Sequence, residues 1–215
     1  RLLPSASVLK YLKGVRPQTA GTLLAFGNPD LGDPTLDLQH AQAEALSVSK
    51  ILPNSKALVR KEASESAFKR YGEGFKYLHI ASHGTFNADS PLTSALLLAK
   101  DGTNDGTLTV GELYSMRLNA DLVTLSACET GLGKIANGDD VVGLTRGFLY
   151  AGSRSIVASL WKVDDEATAY LMTRFYGALK GTSKREALRL AQLETRKKYA
   201  HPYYWAAFQL TGEAS

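Results

Sequence analysis

Apolar positions along the chain switch between short continuous runs and a helical spacing. Thr22–Phe26 (TLLAF) is a short apolar run closed by Gly-Asn-Pro, the pattern of a buried strand. Across His40–Leu52, apolar or small residues recur at 41, 45, 48 and 52, which predicts a helix with one covered face. Ala57–Arg60 reads as a brief strand, and Ser64–Tyr71 as a short helix opening on serine. Lys76–Ser82 (KYLHIAS), Asp121–Ala127 (DLVTLSA) and Ser155–Leu160 have the composition of core strands, with Ala95–Ala99 as an accessory strand. Thr109 and Glu112 form a capping box at the head of a short helix. Asp139–Ala151, Asp164–Lys180 and Ser183–Lys198 complete the helices, the last with a second capping box, Ser183 with Glu186. Strands alternating with helices predict an α/β fold with a mostly parallel central sheet and helices on both faces. Gly27–Asp37 reads as a loop between a strand and a helix. In such sheets ligands gather at the carboxyl ends of the strands.

Composition narrows the class. The 215 residues fit one domain, and 44% hydrophobic with 21% charged residues is a globular balance. The single cysteine, Cys128, excludes an intrachain disulfide framework and suits a reducing, cytoplasmic compartment. No apolar run approaches the roughly 18 residues of a membrane span, so no membrane partner is expected. A net charge of +4, scattered along the chain, gives no nucleic-acid footprint. Arg185, Arg189, Arg196, Lys197 and Lys198 share one predicted helix and read as a solvated face.

Two strand ends carry the chemistry. KYLHIAS runs into His83-Gly84, and DLVTLSA runs into Cys128-Glu129-Thr130-Gly131. If those strands are neighbours, His83 and Cys128 share one crevice. A thiolate is a nucleophile, and an adjacent imidazole both generates it and protonates a leaving amine. The backbone amides of Gly84 and Cys128 are candidates for an oxyanion hole. Taken singly, each residue has a plainer reading, cysteine as a small buried hydrophobe and histidine as a hydrogen-bonded core residue. Their matched positions favour the dyad.

Competing patterns fall short. Gly131-Leu-Gly133-Lys-Ile-Ala136 fits a dinucleotide fingerprint, but Asn137-Gly138 interrupts where its helix would run. The glycines from Gly131 to Asp140 suit a loop beside the cysteine better. His79 and His83 fall on one strand face but lack a third ligand for zinc. Neither a G-x-S-x-G elbow nor a Walker loop is present. His201-Pro-Tyr-Tyr-Trp205 reads as aromatic packing. The expectation is that no cofactor is required.

The runs YLHIASHGTF, LVTLSACETGLG, GLTRGFLYAGSRSIVASLWKVDDEAT and HPYYWAAFQLTG together resemble the CHAT domain, a family of the caspase–gingipain–separase group of cysteine peptidases that commonly follows tetratricopeptide repeats. The resemblance covers most of the chain and is densest from Tyr77 to Gly212. It implies a caspase-like sandwich spanning 1–215 as one domain that starts inside the family's usual beginning. It maps the dyad onto His83 and Cys128. It also implies a protein substrate, a repeat region or regulator as partner, and a substrate pocket for a basic residue formed by Asp164 and Asp165, with Asp30 and Asp33 as possible additions. One departure is Glu129, where many related peptidases carry a small residue after the nucleophile. Asp164, Asp165 and Glu166 also open a helix, where carboxylates cap free N–H groups, so both roles stay open. The alternative to a peptidase is a catalytically silent caspase-like interaction or signalling module.

Overall fold

The computed structural model describes residues 19–87, 89–126, 140–161 and 163–215. Among these, a six-stranded sheet forms the centre, built from β1 (Gly21–Pro29), β2 (Lys56–Arg60), β3 (Phe75–Ala81), β7 (Leu122–Leu125), β8 (Ser155–Ser159) and β9 (Phe208–Gly212), in the order β2-β1-β3-β7-β8-β9. All neighbours are parallel except β8 and β9. A smaller antiparallel sheet joins β4 (Gly84–Thr85), β5 (Ala95–Leu97) and β6 (Thr107–Thr109). The helices are α1 (Gln39–Ser49), α2 (Glu65–Tyr71), α3 (Val110–Leu113), α4 (Asp140–Tyr150), α5 (Asp165–Ala178) and α6 (Lys184–Lys198).

Strand residues sort to opposite faces by the period of two, which is how one apolar run serves two cores. Leu24 and Phe26, Leu78 and Ile80, Val123 and Leu125, and Ile156 face Phe68 of α2, Leu113 of α3 and Phe148 of α4. Leu23 and Ala25, Tyr77, Leu122 and Val157 face Ala45 and Val48 of α1, Phe175 of α5 and Leu188 of α6. The expected two-faced, mostly parallel architecture is therefore observed.

The second face also buries a polar cluster. Tyr176 of α5 donates to Thr124 Oγ1 at 2.9 Å and meets His79 Nδ1 at 3.3 Å, while Ser126 Oγ lies 3.4 Å from His79 Nε2. Glu44 Oε1 of α1 stands 2.9 Å from the same nitrogen without making a hydrogen bond. Burial drives the Tyr176 phenol well above its usual range, so it stays protonated and donates.

Some boundaries differ from expectation. β1 continues past Phe26 to Pro29 because Asn28 adopts φ 46° and forms a bulge, keeping Pro29 paired with Arg60 of β2. The loop expected from Gly27 therefore begins beyond Pro29. At Ser183 the box is half made: its side chain caps the Glu186 amide, but the Glu186 carboxylate turns to Arg189. At Thr109 both halves are present. β4, β6 and β9 were not expected, since two of them are too short to show periodicity.

Candidate active site

Following β1 the chain crosses to β2 through α1, whereas after β3 it continues towards β7 on the other side, so the connections diverge between β1 and β3. At such a switch point the strand ends leave a crevice. The loop after β1 and His83 after β3 border it.

His83 is buried to 8% exposure, and its Nε2 lies 2.7 Å from the Leu36 carbonyl oxygen. A carbonyl only accepts, so Nε2 carries the proton and, in the neutral ring, Nδ1 carries the lone pair. Leu36 closes a short turn, Pro34–Leu36, opened by Asp33, whose carboxylate accepts from the Thr35 amide at 2.9 Å. Hydrogen bonds from the Thr35 hydroxyl and amide hold the Asp33 carboxyl below its usual range. Asn28, 6% exposed, accepts from the Leu38 amide at 2.9 Å and so pins the far end of the loop.

Gly84 enters β4 opposite Leu96. The Leu97 amide donates to the His83 carbonyl at 2.9 Å, which makes Gly84 and Leu96 a non-hydrogen-bonded pair. The Gly84 amide thus points away from β5, unused by that ladder.

The strand leading to His83 and the strand leading to the cysteine motif are direct neighbours. β3 and β7 pair in parallel up to Ile80 opposite Leu125, and the Ser126 amide extends the ladder to the Ile80 carbonyl at 3.0 Å. His83 stands three residues beyond Ile80, and Cys128 three beyond Leu125. Cys128 itself, its amide, and the Gly131–Asp139 segment lie outside the described residues.

Of the acidic residues, Asp164 is exposed and is the N-cap of α5, its Oδ1 accepting from the Ala167 amide at 2.9 Å. Asp165 occupies the first turn of that helix and is half-buried. Asp30 stands at the end of a different strand. It follows β1, which is separated from β8 by β3 and β7, and its Oδ1 accepts from the Gly32 amide at 3.1 Å and faces Arg60 at 3.8 Å. Asp33, engaged with Thr35, lies in the same loop. Beside Asp164, the Trp161 indole donates to the Tyr203 carbonyl at 3.2 Å, docking the aromatic turn 201–205 against the end of β8. Sequence reasoning missed Leu36, Asn28 and Arg60. A backbone carbonyl leaves no mark in a sequence, though Asn after a strand glycine is a hint of left-handed backbone.

The model of the CHAT domain matches residues 1–213. The chain belongs to the CHAT domain family. Tetratricopeptide repeat protein 28 of Mus musculus is 34% identical over 110 residues, covering 49% of this chain and 4% of that protein. Its Homo sapiens counterpart is 31% identical over 145 residues, covering 65% of this chain and 5% of that protein. This CHAT chain thus spans only a small part of the relatives' length. Among solved structures, a chain of the Saccharomyces cerevisiae separase–securin complex aligns over 98% of this chain and 14% of its own, with TM-score 0.64 and 14% identity. RgpB of Porphyromonas gingivalis aligns over 95% of this chain and 51% of its own, with TM-score 0.60 and 14% identity. The fold of this CHAT domain is that of the caspase-like cysteine peptidases.

Proposed function

We propose that this CHAT domain is a cysteine endopeptidase that cleaves after a basic residue of a protein substrate. The observation that carries the reading is the pairing of β3 with β7, with His83 and Cys128 each three residues further along the sequence than the paired Ile80 and Leu125. In this mechanism Nδ1 of His83 takes the Cys128 thiol proton, because Nε2 is occupied with the Leu36 carbonyl. The thiolate attacks the scissile carbonyl, and the tetrahedral oxyanion is held by the amides of Gly84 and Cys128. The imidazolium then gives its proton to the leaving amine, and water hydrolyses the thioester. Asp164 and Asp165, at the head of α5, receive the basic side chain of the substrate, one oxygen of Asp164 also capping the helix. An arginine at the cleavage position would gain a bidentate partner there. The relatives' names connect the domain with tetratricopeptide repeats, and repeats of that kind are the proposed regulatory partner.

The test is cleavage of a peptide library varied at the position before the scissile bond, with any attached repeat region present. Cys128→Ala should abolish turnover, and His83→Gln should lower kcat by about 100-fold or more. Asp164→Asn and Asp165→Asn combined should reduce the preference for arginine over neutral residues by at least about tenfold, the asparagine at 164 still able to cap the helix. Turnover that survives Cys128→Ala would refute the mechanism.

A further inference from the structure

The geometry points to Arg60 as a positioning residue for His83, acting by clamping, through Asp30 and Asp37, the loop whose Leu36 carbonyl holds the imidazole. This rests on the peptidase reading for its consequence, though not for its test. The loop after β1 spans Asp30 to Leu38, and Arg60, the last residue of β2, reaches it from the neighbouring strand. Its Nη1 donates to Asp37 Oδ1 at 2.5 Å, and its Nη2 stands 3.8 Å from Asp30 Oδ1. One planar guanidinium thereby ties the two ends of the loop together, a geometry that a point-charge ammonium reproduces poorly. Asp37 directly follows Leu36, so the anchored carboxylate lies one residue from the carbonyl that His83 uses. Asn28 fixes the adjoining amide, that of Leu38.

Stability alone gives little reason for this arrangement. The pairs are about a third exposed, with side-chain accessibilities of 34% for Arg60, 35% for Asp37 and 27% for Asp30, and such pairs contribute little to folding. Yet Arg60 holds φ at 53°, a left-handed conformation that a long side chain rarely adopts. The left-handed residue on the neighbouring strand, Asn28, serves the same loop. Both irregular strand ends therefore converge on the segment that supports the catalytic histidine, and strain concentrated in this way is characteristic of functional sites.

The chain labelled with ¹⁵N-histidine, carrying Cys128→Ala so that no chemistry intervenes, supplies the readout. The His83 Nε2 proton, assigned by its loss in His83→Gln, is the probe of the Leu36 contact. Arg60→Ala and Asp37→Asn should each speed its exchange with solvent by about tenfold or more, since exchange reports local opening. Arg60→Lys should fall between these and the parent. The His79 ring signals, from the separate buried cluster, should not move. Were Arg60→Ala to fail to fold, Arg60→Lys and Asp37→Asn would carry the measurement. Unchanged exchange in folded Asp37→Asn and Arg60→Lys would overturn the clamp. So would faster exchange at His79 by the same factor, which would signal general loosening. In the chain with Cys128 intact, Arg60→Ala should lower kcat about tenfold and leave KM near its parent value. Faster ring exchange in a chain that cleaves nothing would leave the clamp standing and count against the peptidase reading instead.

Discussion

Asn28 shows how much one side chain settles. Its left-handed φ of 46° makes the bulge that carries β1 on to Pro29, and its amide oxygen satisfies the Leu38 N–H inside the protein. Asn28→Ala removes that acceptor and keeps a Cβ at positive φ, so it should destabilise the domain by about 2 kcal/mol. Asn28→Gly removes the acceptor but relieves the backbone and should cost less. Urea unfolding of the three proteins checks this; equal stability of parent and Asn28→Ala would show that the bond contributes nothing. His83 was legible in the sequence because a polar residue at the end of an apolar strand stands out. The partner that fixes its tautomer was not, because any residue type could supply the Leu36 carbonyl.

Helix α1 approaches β1 as closely as it does because residue 27 is glycine. A Cβ there would lie 2.5 Å from the Ala45 Cβ and 2.6 Å from the Ala41 carbonyl oxygen. Both neighbours belong to helix α1, one of them backbone, so the helix would have to shift. Gly27→Ala should therefore destabilise by about 1–3 kcal/mol, read as a drop of roughly 2–12 °C in Tm. An unchanged Tm would mean that α1 moves freely on the sheet. The same shift would displace Leu38 and the loop that serves His83. Helix existence was legible from spacing in α1, α5 and α6, and from the capping serine and threonine residues. The exact caps were less so: the carboxylate of Glu186 finds Arg189 at the next turn instead of completing its box, a choice among exposed partners of similar energy. β9 carries a strand signal that the expectation leaves out: Phe208 and Leu210 alternate with Gln209 and Thr211, as suits a strand at a sheet edge.

At the scale of the molecule, the two cores follow from strands whose successive residues are both apolar, and the sequence displayed that plainly. The pairing order did not show in it. Between β3 and β7 the chain forms the β4–β6 sheet and α3, whose Leu96, Leu108 and Leu113 join the core on one face of the central sheet. The acid response belongs to this intervening region as well. Burial alone would raise the Glu112 carboxyl, but the Thr109 amide, the Lys69 ammonium and the Thr109 hydroxyl together bring it from 4.5 down to about 2. Asp101, hydrogen-bonded by Thr103 and Ser66, is held below its ordinary range too. Both carboxyls have lowered values in the folded state, so their stabilisation is complete above about pH 5 and is lost as pH falls towards 2. The urea midpoint should decline across that window, and Glu112→Gln should flatten the decline. An equally steep decline in Glu112→Gln would remove Glu112 from the account. Because its side chain is 38% exposed, solvent screening keeps the effect modest.

The central claim is that Cys128 is a nucleophile activated by His83, and because it is the single cysteine, intact-protein mass spectrometry after incubation with an arginyl acyloxymethyl ketone reads it most directly. The account predicts the addition of one inhibitor moiety, absent in Cys128→Ala and slowed by about 100-fold in His83→Gln. Persistent modification of Cys128→Ala, equal rates with and without His83, or no modification even with the repeat region attached would contradict it.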